Sequence, residues 1–451
     1  MTQVLYCSTL FGALTLAAAI DAGRLGPGDQ RRLVIVSDNG PTPEIGDPLQ
    51  DSPGFAVLRS RADDIVSWNE FIAPLHPSGW TPSDVELPML SRALLARLGL
   101  DGPPAELVLE SIAVAPAQAL ARLLPDCPVT VYSDGLMSYG PTRSRLPAEI
   151  GSRVSRVLHL DLVPGLRPVL LREEGVDAEA LPDEVFLKVL AEAATIPDFA
   201  DVLLALPRGG ALVLGQYLSA LEIVTPQQEA ALYGAMVRAA ARAGHTRVLF
   251  KPHPAAGRAQ VRAVRAVAAD AGVQLTVVPE ELPAELCFAT VRPDLVLGCF
   301  STALLTARAF YDLPVAAMGT ERVLDALTPY QNSNRIPATI VDAIVPRMAD
   351  DGTTIAPPAV DCTLLVEAVS FCMQPVALPD LRGAAQRWIS EHGTGRYFRI
   401  RRLRAVGLLA SSGMYDRLAS SRVAEWDVAR SSLVRARSVR ASFAQRRRAQ
   451  R

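Results

Sequence analysis

Short runs rich in β-branched residues alternate along this chain with longer Ala- and Leu-rich stretches, and the pattern occurs twice. Parallel strands need a long crossover connection, usually a helix, before the next strand can pair. The alternation therefore predicts an α/β protein built from βαβ units with parallel sheets. The predicted strands of the first series are Val4–Cys7, Arg32–Val36, Gly54–Leu58, Leu107–Ser111, Val129–Tyr132 and Val157–Leu162; those of the second are Ala211–Gly215, Arg247–Phe250, Gln274–Val278, Leu295–Leu297 and Val315–Met318.

The predicted helices lie between these strands. The two series predict two Rossmann-like domains that face a central cleft. We expect a first domain over 1–200, a second over 201–380 and a basic, helical extension over 381–451. Within the first domain, 172–200 looks like an acidic, helical connector. The predicted helices are Leu90–Leu98, Pro116–Leu124, Pro226–Ala243 with Thr225 as N-cap, Ala259–Ala271 and Ala303–Tyr311.

Composition excludes several classes of protein. The chain has 451 residues, of which 49% are apolar and 20% charged, so most of it is not disordered. Its six cysteines are scattered without a CxxC pair, which is typical of a reducing compartment and gives no zinc-site spacing. No His, Asp or Glu cluster has the spacing of metal ligands either, so we expect no bound metal, and we expect no cofactor. No Lys or Arg precedes the apolar stretch Leu10–Ile20, so we interpret it as a helix that follows a strand rather than as a signal peptide.

Polar residues follow three of the predicted strands, where open parallel sheets bind ligands. The first group is Ser133-Asp134-Gly135. A carboxylate at a strand end can accept a proton from a substrate hydroxyl, so Asp134 is a candidate general base. An ordinary Asp-Gly turn is the alternative.

The second group is Lys251-Pro252-His253-Pro254. Two prolines stiffen the loop that carries one of the chain's two lysines beside a histidine. Lys251 and His253 together suit a phosphate or a phosphate-like leaving group, and we count Pro254 with the same site.

The third group is Ser301-Thr302, between a strand and a helix, where free N–H groups and two hydroxyls could bind an anion. An ordinary N-cap is the alternative. Gly215-Gln216 after another strand could line a nucleotide pocket, and Glu280 could accept hydrogen bonds from ribose hydroxyls. The chain has no GxGxxG, Walker or GxSxG motif, which disfavours NAD enzymes, P-loop kinases and α/β-hydrolases.

In this order the groups resemble the motifs of the bacterial alpha-2,8-polysialyltransferases and related bacterial sialyltransferases: an acidic pair before Gly, an HP motif and an S-S/T motif. The resemblance spans Val4 to Met318. It implies a GT-B glycosyltransferase that is inverting and metal-independent and that transfers sialic acid from a CMP-sugar to a glycan. It further implies Asp134 as the base and His253, Ser301 and Thr302 as contacts of the CMP phosphate.

One position departs from the family motif, because Ser133 stands where the first acid is common. Two alternatives therefore stay open: another GT-B transferase with a CDP- or UDP-activated donor, and a non-catalytic sugar-binding relative. A nucleic-acid-binding protein is disfavoured, since the body is acidic and no RNA- or DNA-binding motif is present.

Charge is distributed unevenly, although the net charge is −2. From Arg396 to Arg451 there are 15 arginines and three acidic residues. Apolar residues such as Leu403, Val406 and Trp426 are interspersed with these arginines rather than grouped like a core. A solvated end is the simpler interpretation; a basic amphipathic segment on an anionic membrane surface is the sharper one. It would fit a cytoplasmic enzyme, peripheral to the inner membrane face, whose acceptor is lipid-linked.

Overall fold

The computed structural model describes residues 1–253 and 258–410. Fourteen strands in this part of the chain form two seven-stranded sheets. The first sheet contains β1 (Thr2–Cys7), β2 (Arg31–Val36), β3 (Asp64–Ser67), β4 (Glu106–Leu109), β5 (Val129–Ser133), β6 (Val154–Leu160) and β7 (Asp177–Leu181). The second contains β8 (Ala211–Leu214), β9 (Arg247–Lys251), β10 (Gln274–Val277), β11 (Leu295–Gly298), β12 (Val315–Ala317), β13 (Arg347–Met348) and β14 (Thr354–Ile355).

Both sheets have the same strand order. The first runs β3-β2-β1-β4-β5-β6-β7 and is parallel throughout; the second runs β10-β9-β8-β11-β12-β13-β14 and is parallel except for the pair β13 and β14. In each sheet the order reverses beside the first strand, between β1 and β4 or between β8 and β11. Such a reversal opens a crevice at the carboxyl ends of the two strands. The predicted pair of Rossmann-like domains is confirmed.

Helices connect the strands and cover the sheets. In the first domain and its connection to the second they are α1 (Leu10–Asp21), α2 (Ala56–Arg59), α3 (Trp68–Ile72), α4 (Leu87–Arg97), α5 (Ala117–Leu123), α6 (Ala148–Gly151), α7 (Asp183–Ala194) and α8 (Pro197–Ala205). The later ones are α9 (Pro226–Arg242), α10 (Arg258–Asp270), α11 (Ala284–Val291), α12 (Thr302–Tyr311), α13 (Thr320–Ala326), α14 (Arg335–Ile344), α15 (Cys362–Met373), α16 (Arg382–His392) and α17 (Ile400–Ala405).

Local chemistry explains where two of these helices begin. The predicted N-cap Thr225 is confirmed at α9, where the Gln228 N–H donates to Thr225 Oγ1 at 3.2 Å and the Thr225 N–H donates to Gln228 Oε1 at 2.8 Å. This reciprocal pair satisfies two backbone donors that a helix leaves unpaired. Helix α1 begins after Thr9, whose Oγ1 accepts from the Gly12 N–H at 3.0 Å. The stretch Leu10–Ile20 is thus a buried helix that follows β1, as predicted.

Residues alternate between two cores along the strands of the first sheet. Val4 and Tyr6 of β1 belong to a core on one face of that sheet, whereas Leu5 and Cys7 belong to the other. The second core continues into the second domain, so the two domains are packed against each other. Helices α7 and α8 contribute to this interface by packing on α11.

Two predictions about the edges of the first sheet are wrong. Gly54–Leu58 is not a strand but a turn of 3₁₀ helix followed by α2; the neighbouring strand is β3, where Val66 is the one fully buried residue. The expected helical connector 172–200 contains the strand β7, most of whose residues are exposed. An edge strand with one partner buries few side chains, so its sequence carries a weak apolar pattern.

The start of the basic extension is folded, whereas we expected its apolar residues to lie among the arginines without forming a core. Leu403 is fully buried, and the buried guanidinium of Arg402 donates to the Cys372 and Met373 carbonyls at 2.6 and 3.0 Å. The Tyr397 hydroxyl donates to Asp342 Oδ2 at 2.8 Å. This part of the extension therefore belongs to the body of the protein. Residues 411–451, including Trp426, lie outside the described residues.

Candidate active site

The predicted nucleotide-side residues meet at the carboxyl edge of the second sheet. Strands β8, β9 and β11 are neighbours there, and their loops are hydrogen-bonded to each other. The Gly215 N–H donates to the Lys251 carbonyl at 2.8 Å, and Gln216 Oε1 accepts from the Phe300 N–H at 3.0 Å. The structure thus brings the loops of Gly215-Gln216, Lys251-His253 and Ser301-Thr302 together.

Gly215 is required at this junction by close packing. A Cβ atom at this position would lie 3.0 Å from the Lys251 carbonyl oxygen and 3.1 Å from Pro252 Cα. Because both neighbours are backbone atoms, neither can move aside cheaply. The absence of a side chain allows β8 to approach the loop after β9.

The Lys251 side chain holds this loop in place. It is 6% exposed, and its ammonium donates to the carbonyls of Pro252 at 2.8 Å and Glu280 at 3.0 Å. Burial lowers the pKa of Lys251 to about 8. Lys251 therefore contacts two backbone oxygens, and the exposed Glu280 takes part through its carbonyl.

His253 is half-buried directly beyond β9, and its ring lies 4.1 Å from the ring of Tyr217, centroid to centroid. Burial, followed by the positive charge of Lys251, lowers the pKa of His253 to about 4. The imidazole is consequently neutral near pH 7 and can donate one N–H. Pro254 lies outside the described residues.

Ser301 and Thr302 stand at the first turn of α12. Ser301 is the N-cap, with Oγ accepting from the Ala303 N–H at 3.3 Å, and both side chains are half-buried. The N-terminus of this ten-residue helix carries partial positive charge.

The acidic group lies at the carboxyl edge of the first sheet, directly beyond β5. Asp134 is half-buried, and its loss of hydration raises the pKa of its carboxyl to about 6. The next residues reach the second domain: the Leu136 N–H donates to Thr302 Oγ1 at 3.4 Å, and a Cβ atom on Gly135 would lie 3.0 Å from that hydroxyl. The Asp134 loop and the Ser301-Thr302 loop are therefore in contact across the domain interface.

A sequence model of the alpha-2,8-polysialyltransferase (POLYST) family matches residues 3–320. That segment holds both sheets up to β12 and all the motifs just described. The chain belongs to this family. It is therefore a glycosyltransferase, and it is built on two parallel-sheet α/β domains.

The solved structures that match this chain include other transferases. The GT-B domain of a sialyltransferase from Photobacterium damselae has 13% identity and a TM-score of 0.39, covering 75% of this chain and 95% of that one. The E. coli heptosyltransferase WaaC has 11% identity and a TM-score of 0.33, covering 70% and 88%. MurG of Acinetobacter baumannii has 14% identity and a TM-score of 0.37, covering 86% and 95%. A search of the curated proteins finds no match.

Sequence reasoning missed two buried carboxyls of this glycosyltransferase. Glu110 follows β4 and is 8% exposed; burial, and then the charge of Asp134, raise its pKa to about 7. Glu285 of α11 is buried, accepts from Thr306 Oγ1 at 3.0 Å and also has a raised pKa because of burial. The available signal for Glu110 is an acidic residue at the end of an apolar strand; the predicted strand Leu107–Ser111 includes it.

Within the described ranges 1–253 and 258–410, no group of His, Cys, Asp or Glu is arranged to hold a metal ion. Over the same ranges, no helix has the length and apolar character needed to cross a membrane.

Proposed function

We propose that this glycosyltransferase is an inverting, metal-independent sialyltransferase that moves sialic acid or a related nonulosonic acid from a CMP-sugar to a glycan acceptor. The observation that carries the proposal is the contact between the Asp134 loop and the Ser301-Thr302 loop. It joins the loop that carries a carboxylate on one side of the domain interface to a loop with two hydroxyls at a helix N-terminus on the other. Such a pairing suits the transfer of a sugar from an anionic leaving group to a hydroxyl.

Asp134 is the base that acts on the acceptor. The acceptor hydroxyl loses its proton to the Asp134 carboxylate while its oxygen forms a bond to the anomeric carbon. The bond from that carbon to the phosphate oxygen breaks, and its electron pair leaves with CMP. A pKa of about 6 suits this role, because the carboxylate is ionised near pH 7 and is still a stronger base than an ordinary Asp.

Groups of the second domain bind the donor. The neutral imidazole of His253 donates an N–H to the phosphate, and Ser301, Thr302 and the N-terminus of α12 add further donors. Lys251 fixes the His253 loop and contributes its positive charge from beneath it. Gly215 and Gln216 line the nucleotide pocket, and Glu280 accepts from ribose hydroxyls.

A donor panel tests the proposal and its alternatives. We expect CMP to raise the melting temperature more than UMP, UDP or NAD, since a ligand at one hundred times its Kd adds about 2.7 kcal/mol. Transfer should occur from a CMP-sialic acid and persist in EDTA. A larger shift with UDP, or transfer from CDP- or UDP-sugars alone, would favour the other GT-B transferase. CMP-sugar binding without turnover would favour the non-catalytic relative.

We further propose that the segment 411–451, with ten arginines and three acidic residues, binds the anionic inner face of the membrane, where the acceptor is lipid-linked. Because 396–410 is packed on the body, the matched truncation ends at Ala410. It should lose sedimentation with anionic vesicles and keep its CMP-induced thermal shift. Full-length and truncated protein that sediment equally would exclude this role, and neutral vesicles serve as the control.

A further inference from the structure

Glu110 occupies the point where the strand order of the first sheet reverses. It directly follows β4, and β4 pairs with β1 on one side and β5 on the other. In the register of β4 and β5, Leu109 pairs with Val131, so Glu110 stands level with Tyr132, two residues before Asp134. The carboxyl is therefore next to the candidate base although the two residues are distant in sequence.

The hydrogen bonds of Glu110 are compatible with a protonated carboxyl. Its Oε1 accepts from the Ser8 hydroxyl at 2.5 Å, and its Oε2 lies 3.3 Å from the Tyr132 hydroxyl. The single proton of Tyr132 is also within reach of the Tyr6 carbonyl, at the shorter distance of 3.0 Å. When Tyr132 donates to that carbonyl, a protonated Glu110 can itself donate to the Tyr132 oxygen, so this geometry accommodates a neutral carboxyl.

The surroundings of Glu110 favour its neutral form as well. The titratable groups that face it are Tyr6 and Cys7 of β1, Tyr132 of β5, and Asp134, all of which are neutral or anionic. A Cβ atom on Gly12 would lie 3.1 Å from both Glu110 Oε2 and the Tyr132 hydroxyl, so α1 closes over the pair. Burial and the charge of Asp134 raise the pKa of Glu110 to about 7.

We propose that Glu110 is a positioning residue of the active centre, which holds a proton while Asp134 is ionised and so limits the pair to one negative charge. The proposal rests on the proposed function, because an anionic donor must enter this site. When Glu110 loses its proton, a second negative charge opposes the donor. The value of kcat/KM for the donor should therefore fall as the pH rises above about 7, in addition to its fall below pH 6.

Infrared difference spectroscopy on the full chain tests the protonation directly and needs no activity. The wild type should show the carbonyl band of a protonated carboxyl at pH 6.5, and Glu110→Gln should lack it. In Asp134→Asn the titration of that band should move to lower pH by about one unit, the size of coupling expected for interacting sites. A wild type without the band, or a titration that Asp134→Asn leaves in place, would overturn the proposal.

Kinetics supply the second readout. At pH 8 the wild type should retain about one tenth of its maximal kcat/KM, and Glu110→Gln should lack this alkaline decline because it cannot ionise. The matched control is Glu106→Gln, which alters an acid at the opposite end of β4, paired with Arg156 at 3.1 Å, and should keep the wild-type pH profile. A Glu110→Gln profile that keeps the alkaline decline contradicts the proposal. If the wild type neither binds CMP nor transfers from any donor, the proposed function fails while the infrared result stands.

Discussion

The two domains share one strand order, but the carboxyl ends of their strands carry different chemistry. The first sheet ends in Glu110 and Asp134, two carboxyls whose pKa values are raised by burial. The second ends in Lys251 and His253, whose pKa values are lowered by burial, beside two hydroxyls at a helix N-terminus. In each case, loss of hydration favours the neutral form of the group.

This difference suggests a division of labour between two similar scaffolds. A carboxylate with a raised pKa can remove a proton, whereas neutral donors and a helix N-terminus can stabilise a departing phosphate. The shared strand order places both sets at matching edges, and the contact of Leu136 with Thr302 joins them. Variants of the two edges should therefore fail in different ways.

We expect the largest effect on kcat from a substitution at the carboxyl edge of the first sheet. Asp134→Asn should lower kcat by about 10³ to 10⁴, because the acceptor hydroxyl loses its base, and should leave the CMP Kd unchanged. Transfer assays and CMP titration measure the two quantities. Asp161→Asn is the control, since Asp161 directly follows β6 as Asp134 follows β5. Near-normal turnover of Asp134→Asn would place the base elsewhere and erase the contrast between the domains.

The corresponding change at the carboxyl edge of the second sheet should affect both kcat and CMP binding. His253→Ala should lower kcat by about 100-fold and also weaken CMP binding, because the donor phosphate loses an N–H contact. His245→Ala is a matched control, since His245 precedes β9 and His253 follows it. CMP binding that His253→Ala leaves intact would contradict a phosphate contact.

Ionisation of Glu110 should also lower the free energy of unfolding at high pH. The folded pKa of Glu110 lies above its ordinary value, so stability falls as the pH rises from about 4.5 through 7. Glu110→Gln should therefore be more stable than the wild type at pH 8, by about 3 kcal/mol, and should not gain at pH 4.5. Urea unfolding at both pH values measures this. An equal gain in stability at both pH values would mean that folding does not raise the pKa of the Glu110 carboxyl.

The smallest expected effect comes from packing in the second domain. Gly215→Ala should lower the free energy of unfolding by about 1–2 kcal/mol, because its Cβ would overlap the backbone of the loop after β9. Gly383→Ala in the first turn of α16 is the control: nothing lies within 4 Å of its Cβ, so this change should not lower the free energy of unfolding. If both variants gain stability, the close approach at Gly215 is not tight.

The sequence by itself determined the α/β class, the two domains and the strands at the centre of each sheet. These strands are buried on both faces, so their apolar runs are visible without knowledge of their partners. Asp134, His253 and Ser301 could be found for the same local reason, since each follows a recognisable strand. The edge strands β3 and β7 were not predicted, because each buries a single residue; the edge strand β10 was predicted, because its run Gln274–Val278 is rich in β-branched residues.

Tertiary structure alone decided which strand ends are neighbours and which groups lose water. Glu110 lies beside Asp134 because β4 pairs with β5, and Lys251 turns to two carbonyls because its loop is buried against Glu280. Arg402 and Leu403 likewise look like part of a basic tail in sequence and become core only through contact with α15. Strand pairing and desolvation are long-range properties, so they are absent from any local run of residues.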